Sequence, residues 1–397
     1  MQSFKIYRSV LAVQRSCGRS VFTKTPVSYF VSKTYSTSNT DRFQGPVFEA
    51  PIMQAAKNTI AENLGKIVPN THRLAPEDSQ FSLEEVPDLS GKVAVVTGGS
   101  EGIGYGCTHT LLSHNIERLF IISMSQDIAE DAIKAIKEDM GEDKANRVEW
   151  LQCDLSDWGA TRKTASKISD KTDRLDILIN NAARGIMTRQ LSKDGVDLHM
   201  AINHIGHVVL TSSLLPLLKS TASNGHTVRL VQLGSNLHES APTETQFASL
   251  EELNKDYGPQ PQYARSKLAA ILFAKYLDRH LHARHPNILS NAVHPGIVET
   301  AQSAVHIHEA YPVGGYAMSV GLAPFKKTQF EGAVSAMFAA TKTEASGEYI
   351  CPPAIVEKGS EKANDIELGE RLMELTWRVV REKMGGSVEV GCPFKEV

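Results

Sequence analysis

From Lys92 onward, short apolar runs alternate with longer stretches in which apolar positions recur every three or four residues. The runs are Lys92 to Thr97, Arg118 to Ser123, Val148 to Gln152, Leu175 to Ile179, Val228 to Leu233 and Ile288 to Val293. Valine, isoleucine and leucine crowd successive positions in them, the pattern of strands buried on both faces of a parallel sheet. Helical periodicity falls between the runs. It covers Tyr105 to Leu112, Ile128 to Met140, Gly195 to Leu218 and the stretch carrying Tyr263 and Lys267. Strands alternating with helices predict an α/β fold: a single doubly wound parallel sheet with helices on both faces.

Outside this region the pattern changes. Residues 1–40 hold six basic side chains, no acidic one, and many serines and threonines. Wound as a helix, Lys5, Arg8, Arg15 and Arg19 share one side while Ile6, Tyr7, Val10, Leu11 and Val13 share the other. An acid-free, basic, amphipathic N-terminus is the signature of a mitochondrial transit peptide. Residues 41–90 read as a lead-in arm, with a short helix expected over Ala55 to Leu64. The sheet domain is expected over 91–350, and a C-terminal helix and tail over 351–397.

Composition narrows the function classes. A net charge of −3 in 397 residues gives no footprint for a nucleic-acid partner. No run of about 18 uncharged apolar residues is present, so no transmembrane segment is expected. Five scattered cysteines, with no C-x-x-C pair and no zinc spacing, read as free thiols. His204 and His207 have no third ligand in view, so no metal is expected. Nothing in the pattern selects between a monomer and a homo-oligomer.

The first strand runs into Gly98, Gly102 and Gly104, and then into a helix. Strand, glycine turn and helix together bring a pyrophosphate onto a helix N-terminus, where free N–H groups and the helix dipole favour an anion. Further on, Tyr263-Ala-Arg-Ser-Lys267 puts a phenol and an ammonium one turn apart on a helix face. A cation beside a tyrosine favours the phenolate, which fits the pair for proton exchange with an alcohol or carbonyl oxygen. Ser235 follows the fifth strand, where a hydroxyl can bind the reacting oxygen.

These features fall into register with others. The glycine motif, Asp154-Leu155, Asn180-Asn181-Ala182-Ala183, Asn203, Ser235, Tyr263 with Lys267, and Pro295-Gly296 resemble the motifs of the short-chain dehydrogenase/reductase family, in order and spacing. Asn203-His-Ile-Gly-His207 and the later Lys327-Thr stretch resemble its retinol-dehydrogenase-like branch, and the leader makes the chain similar to fungal mitochondrial members. The resemblance implies a Rossmann-type fold. It implies Tyr263 as catalytic acid/base, Lys267 as the group that lowers its pKa and holds the nicotinamide ribose, Ser235 as the positioner of the substrate oxygen, and Asn203 as the holder of a water in the proton relay. It also implies that Gly98, Gly102, Ile103 and Gly104 line the pyrophosphate, that Asp154 and Leu155 meet the adenine, and that Asn181 meets the adenine-side ribose. Pro295, Gly296, Val298 and Thr300 are then expected near the nicotinamide.

Three departures from the family pattern stand out. Ala183 replaces a usual glycine, which is harmless unless that backbone is left-handed. Ser235 and Tyr263 are 28 positions apart, and the extra stretch, Leu237 to Pro261, resembles the substrate loop of the retinol-dehydrogenase-like branch. The second strand ends Ser123-Met124-Ser125, with neither the acid expected for NAD nor an arginine for a 2′-phosphate. The missing carboxylate favours NADP, with NAD as the alternative. The resemblance implies that the stretch from Ala304 to Phe325 lids the substrate; it is apolar, including Tyr311 and Val313, so a largely apolar carbonyl or alcohol substrate is expected. The expected function is an oxidoreductase moving hydride between NADP(H) and that carbon. The competing reading is a non-catalytic dinucleotide sensor or scaffold of the same fold.

Overall fold

The computed structural model describes residues 81–296, 298, 328–385 and 392–395, all within one compact unit spanning Phe48–Val397. The expectations for the leader, the lead-in helix, Thr300 and the apolar 304–325 stretch lie outside the described residues.

Eight strands form one sheet: β1 Val93–Thr97, β2 Arg118–Ser123, β3 Val148–Gln152, β4 Ile177–Asn180, β5 Val228–Leu233, β6 Ile288–Val293, β7 Tyr349–Cys351 and β8 Ile355–Glu357. Their order is β3-β2-β1-β4-β5-β6-β7-β8, parallel up to β7 and antiparallel only at β8. Strand order reverses between β1 and β4. That switch point opens a crevice beyond the strand C-termini, where α/β sheets bind ligands.

Side-chain alternation divides β1 between two cores. Val93 and Val95 face helices α3 (Trp158–Ser169), α4 (Leu198–Ser223) and α5 (Pro259–Leu277). Ala94 and Val96 face α1 (Gly102–Ser113), α2 (Gln126–Met140) and α6 (Gln329–Thr341). A period of two on a sheet covered on both sides explains why its strands read as unbroken apolar runs.

The expected long helix is α4, but it is not uniformly α. Ala201–Gly206 winds as a π turn. The turn coincides with a close approach, since a Cβ on Gly206 would lie 2.4 Å from the Leu155 carbonyl oxygen. The Ala201 carbonyl accepts the Trp158 indole N–H at 3.2 Å. Among the described residues, α4 is the one helix long and apolar enough to cross a membrane, and 72% of its most apolar window is buried in the fold. Its apolar character serves the core.

The sheet continues past residue 350 through β7 and β8. Helix α7 (Ile366–Met384), N-capped by Asp365 on the Leu368 N–H, then lays Leu368, Leu372 and Leu375 against α5. Residues 392–395 fold back onto the same side. Phe394 is fully buried in the core that contains Val93, and Lys395 pairs with Glu370 at 2.7 Å. The described cysteines, Cys107, Cys153, Cys351 and Cys392, are free thiols.

Candidate active site

Gly98, Asn181, Ser235 and Pro295 follow the C-termini of β1, β4, β5 and β6, while Asn203 lies on α4 and Tyr263 and Lys267 lie on α5. Gly98 and Gly102 have φ of +63° and +55°, the left-handed region that favours glycine. Gly104 has no space for a side chain, because a Cβ would lie 2.0 Å from the Gly98 carbonyl oxygen. At the start of α1, Glu101 makes no side-chain cap and no acid occupies the first turn. The helix therefore offers its first N–H groups to an outside anion, a fit for a pyrophosphate.

A neutral histidine ties this turn to the rest of the site. The Thr97 hydroxyl accepts the N–H groups of Asn181 and Ala182, each at 2.9 Å, so its own proton goes to His207 Nε2 at 2.9 Å. His207 Nδ1 then donates to the Asn203 carbonyl at 3.1 Å. This pattern requires the neutral imidazole, and burial pushes the His207 pKa down to about 4. The Asn181 amide donates to the Thr97 and Gly98 carbonyls at 2.9 and 3.3 Å, bracing the glycine turn. Ala183 is not among the residues with positive φ, so the alanine is unstrained.

Asn203 is engaged on all sides. Its Oδ1 accepts the Arg184 N–H at 2.7 Å, and its Nδ2 donates to the Arg184 carbonyl at 3.0 Å and to Ser266 Oγ at 2.9 Å. Ser266 Oγ donates to the Tyr263 carbonyl at 2.7 Å. Asn203 thus fastens the segment after β4 to the helical turn that carries Tyr263.

On α5, the buried Lys267 ammonium donates to the Leu233 carbonyl at 2.8 Å and lies 5.6 Å from the Tyr263 ring centre. Burial lowers its pKa to about 8. Tyr263 hydrogen-bonds Ser235, and Ser235 Oγ also accepts the Leu237 N–H at 3.2 Å. Among the causes that act on the Tyr263 pKa in this fold, burial comes first. Burial pushes Tyr263 up to about 12, and the Ser235 hydrogen bond offsets only part of this. The ammonium is directed at Leu233, while removal from water penalises the phenolate more.

Of the other expected residues, Asp154 is half-buried and accepts the Ser156 N–H at 2.8 Å, whereas Leu155 is buried beneath α4. Pro295 and Gly296 follow β6 half-buried, with Gly296 at φ +81°. Val298 and Ile103 pack against Gly332 of α6, where a Cβ would lie 2.5 Å from a Val298 methyl. Met124 is 60% exposed beside the start of α2. Ser235, Tyr263, Lys267, Asn203 and Asn181 thus form one connected cluster.

Sequence reasoning missed the supports of this cluster: Thr97, His207, Ser266 and two groups that pack against the Leu237 to Pro261 stretch. One is Arg265, 1% exposed, which donates to the Glu252 and Leu253 carbonyls and to Gln262, and stacks 4.9 Å from the Tyr257 ring centre. The other is His238. Their positions inside or beside motifs, such as Arg265 between Tyr263 and Lys267, were the available signal.

A glycine turn at the switch point, with a serine, a tyrosine and a lysine gathered where the next strands end, defines a dinucleotide-dependent oxidoreductase. Residues 92–243 match the short chain dehydrogenase family. A Neurospora crassa protein, named as the mitochondrial oxidoreductase bli-4, is 50% identical over 351 residues, covering 87% of this chain and 84% of that protein. Human polyprenol dehydrogenase is 31% identical over 306 residues, covering 75% and 87%. Among solved structures, the Pseudomonas aeruginosa RhlG/NADP complex aligns with a TM-score of 0.52 at 25% identity, covering 67% of this chain and 96% of that one. The chain belongs to the short-chain dehydrogenase/reductase family and is an oxidoreductase acting on CH–OH or C=O groups.

Proposed function

We propose that the enzyme moves hydride between NADP(H) and the carbonyl or alcohol carbon of a largely apolar substrate, with Tyr263 handling the proton. The observation behind this reading is the Ser235–Tyr263–Lys267 cluster, with Ser235 and Lys267 buried, Tyr263 half-buried, and serine hydrogen-bonded to tyrosine. The nicotinamide, when bound, supplies or accepts the hydride. Gly98, Gly102, Ile103 and Gly104 hold the pyrophosphate at the start of α1, Asp154, Leu155 and Asn181 the adenosine half, and Pro295, Gly296, Val298 and Thr300 the nicotinamide side. Ser235 Oγ positions the substrate oxygen. Tyr263 Oη gives its proton to that oxygen in reduction and takes one back in oxidation. Lys267 holds the ribose and raises the local positive potential. Asn203 keeps the water-relay side of the site in place through Arg184 and Ser266.

The NADP preference rests on Ser123-Met124-Ser125, where no carboxylate repels a 2′-phosphate. The apolar preference rests on the Ala304 to Phe325 sequence, and the relative named polyprenol dehydrogenase supports it, since a polyprenol is an apolar alcohol. Initial rates with NADPH and NADH against medium-chain, ring-bearing and small polar carbonyls test both preferences. Medium-chain and ring-bearing aldehydes and ketones should exceed glyceraldehyde in kcat/KM. NADPH should be preferred modestly, and more strongly after Met124→Arg, because a guanidinium pairs with phosphate in a bidentate fork. Faster turnover of glyceraldehyde, or a clear preference for NADH, refutes the corresponding half.

We further propose mitochondrial import directed by residues 1–40. The basic, acid-free leader carries that reading, and the bli-4 relative named as mitochondrial supports it. A fluorescent protein fused behind residues 1–45 should colocalise with mitochondria; diffuse cytosolic signal would sink the idea.

A further inference from the structure

Ser235 sits where β5 ends, at the head of the enlarged loop, and its backbone is held from an unexpected quarter. His238 is 1% exposed. Its ring Nδ1 lies 2.6 Å from the Ser235 carbonyl oxygen, which its own backbone N–H also reaches at 3.1 Å. A carbonyl only accepts, so Nδ1 carries the ring proton and Nε2 is an acceptor. That acceptor takes the Ser360 N–H at 3.0 Å, from a segment 122 positions further along the chain. Burial pushes the His238 pKa down to about 4, so the neutral tautomer persists at neutral pH.

The distal end of this strut is itself built to stay put. Gly359 is left-handed at φ +68°, and a Cβ there would lie 3.1 Å from His238 Nε2. The Tyr349 ring of β7 meets the imidazole edge-on at 5.2 Å. Asn364 ties back to the Lys358 and Ser360 carbonyls and receives Lys275 of α5. Two positions after Ser360, the Lys362 ammonium is held by three loop carbonyls, those of Pro242, Thr243 and Thr245. The 358–364 segment therefore grips the loop at two places, the carbonyl of Ser235 and the carbonyls of 242–245.

We infer that His238 is a positioning residue for Ser235, a strut that fixes the serine hydroxyl against Tyr263 by anchoring the Ser235 carbonyl to the 358–364 segment. The inference rests on the reading of Ser235 as the group that positions the substrate oxygen. Losing the strut frees the backbone from which Oγ projects, and a displacement of about 1 Å at a reacting group costs on the order of 100-fold. His238 is 1% exposed and both its ring nitrogens are engaged, by Ser235 and Ser360, so its effect should fall on kcat.

The test is a double-mutant cycle on the full chain with NADPH and an aldehyde. His238→Phe keeps a planar ring and removes both nitrogens. It should lower kcat by roughly 10- to 100-fold, with KM and NADPH affinity little changed. Ser235→Ala should lower kcat at least as much. If His238 acts through Ser235, the double variant is no slower than Ser235→Ala alone; losses that multiply overturn the inference. His238→Asn retains an N–H aimed at the Ser235 carbonyl and should recover much of kcat, and it serves if the phenylalanine variant does not fold. Wild-type kcat in both His238 variants also overturns it. Full turnover in Ser235→Ala alone would instead strike the reading of Ser235, and the strut with it.

Discussion

Tyr263→Phe is expected to lower kcat by about 10²- to 10⁴-fold, the range that general acid–base catalysis contributes, while leaving NADPH binding intact. The phenylalanine keeps the ring that packs 5.6 Å from the Lys267 ammonium, and it removes only the hydroxyl that meets Ser235. Because burial pushes the tyrosine pKa up to about 12, the proton stays on Oη at neutral pH. The residue is thereby set as a donor toward an oxygen gaining negative charge, which is the demand of carbonyl reduction. Lys267→Met should injure both turnover and cofactor affinity, since Lys267 serves both. Stopped-flow turnover alongside fluorescence titration with NADPH separates the two outcomes. Near-wild-type kcat in the phenylalanine variant would mean that the proton comes from elsewhere.

Acid should unfold this protein through its buried histidines. His204, His207 and His238 are each almost wholly buried, with pKa values pushed down to about 3, 4 and 4. His204 reaches Thr376 of α7 through Nε2 and leaves Nδ1 without a partner, so it has nothing to stabilise a charge. The folded pKa lies below the unfolded value near 6.5, so the unfolded chain binds more protons between those limits. The stability contribution is therefore complete above about pH 6.5 and is lost as pH falls toward 4. By pH 5 each of the three must be protonated against its burial, a loss of stability on the order of 1 kcal/mol or more per residue. Thermal melting at pH 7, 6 and 5 should show a steep fall in Tm, with unfolding at pH 5 taking up about three protons. A Tm that stays level over that range would refute the neutral assignments. Glu370, held down to about 2 by Lys395, His280 and Arg279, adds its own loss only at lower pH.

The strands were legible because a sheet covered on both faces needs apolar side chains at every position. Four of them, Arg118–Ser123, Val148–Gln152, Val228–Leu233 and Ile288–Val293, have the predicted bounds. Helix α3 went unassigned, since Trp158-Gly-Ala-Thr-Arg-Lys-Thr-Ala-Ser-Lys buries mainly small side chains and threonines. β7 and β8, at three residues each, are too short to show a period. In the site, Ser235, Tyr263 and Lys267 could be read because their chemistry dictates residue type and spacing. Their supports could not. A neutral histidine that accepts one hydrogen bond and donates another looks the same in sequence as a ligand or a general base. What distinguishes His207 and His238 is a partner 110 or 122 positions away. The π turn in α4 was likewise invisible, because the Leu155 backbone crowding Gly206 is a property of the packed fold.

The burial of Phe394 against Phe273, in the core that also holds Val93, bears on when the fold can close. One core holds residues about 300 positions apart, so closing it requires nearly the whole chain to be available, at the entropic cost that accompanies long-range contacts. During synthesis, a chain that has emerged only as far as β6 still lacks Phe394 and α7, which complete the cores on the α3–α5 side of the sheet. Closure of that core is consequently a late event, completed only when the chain as far as residue 394 has joined the fold.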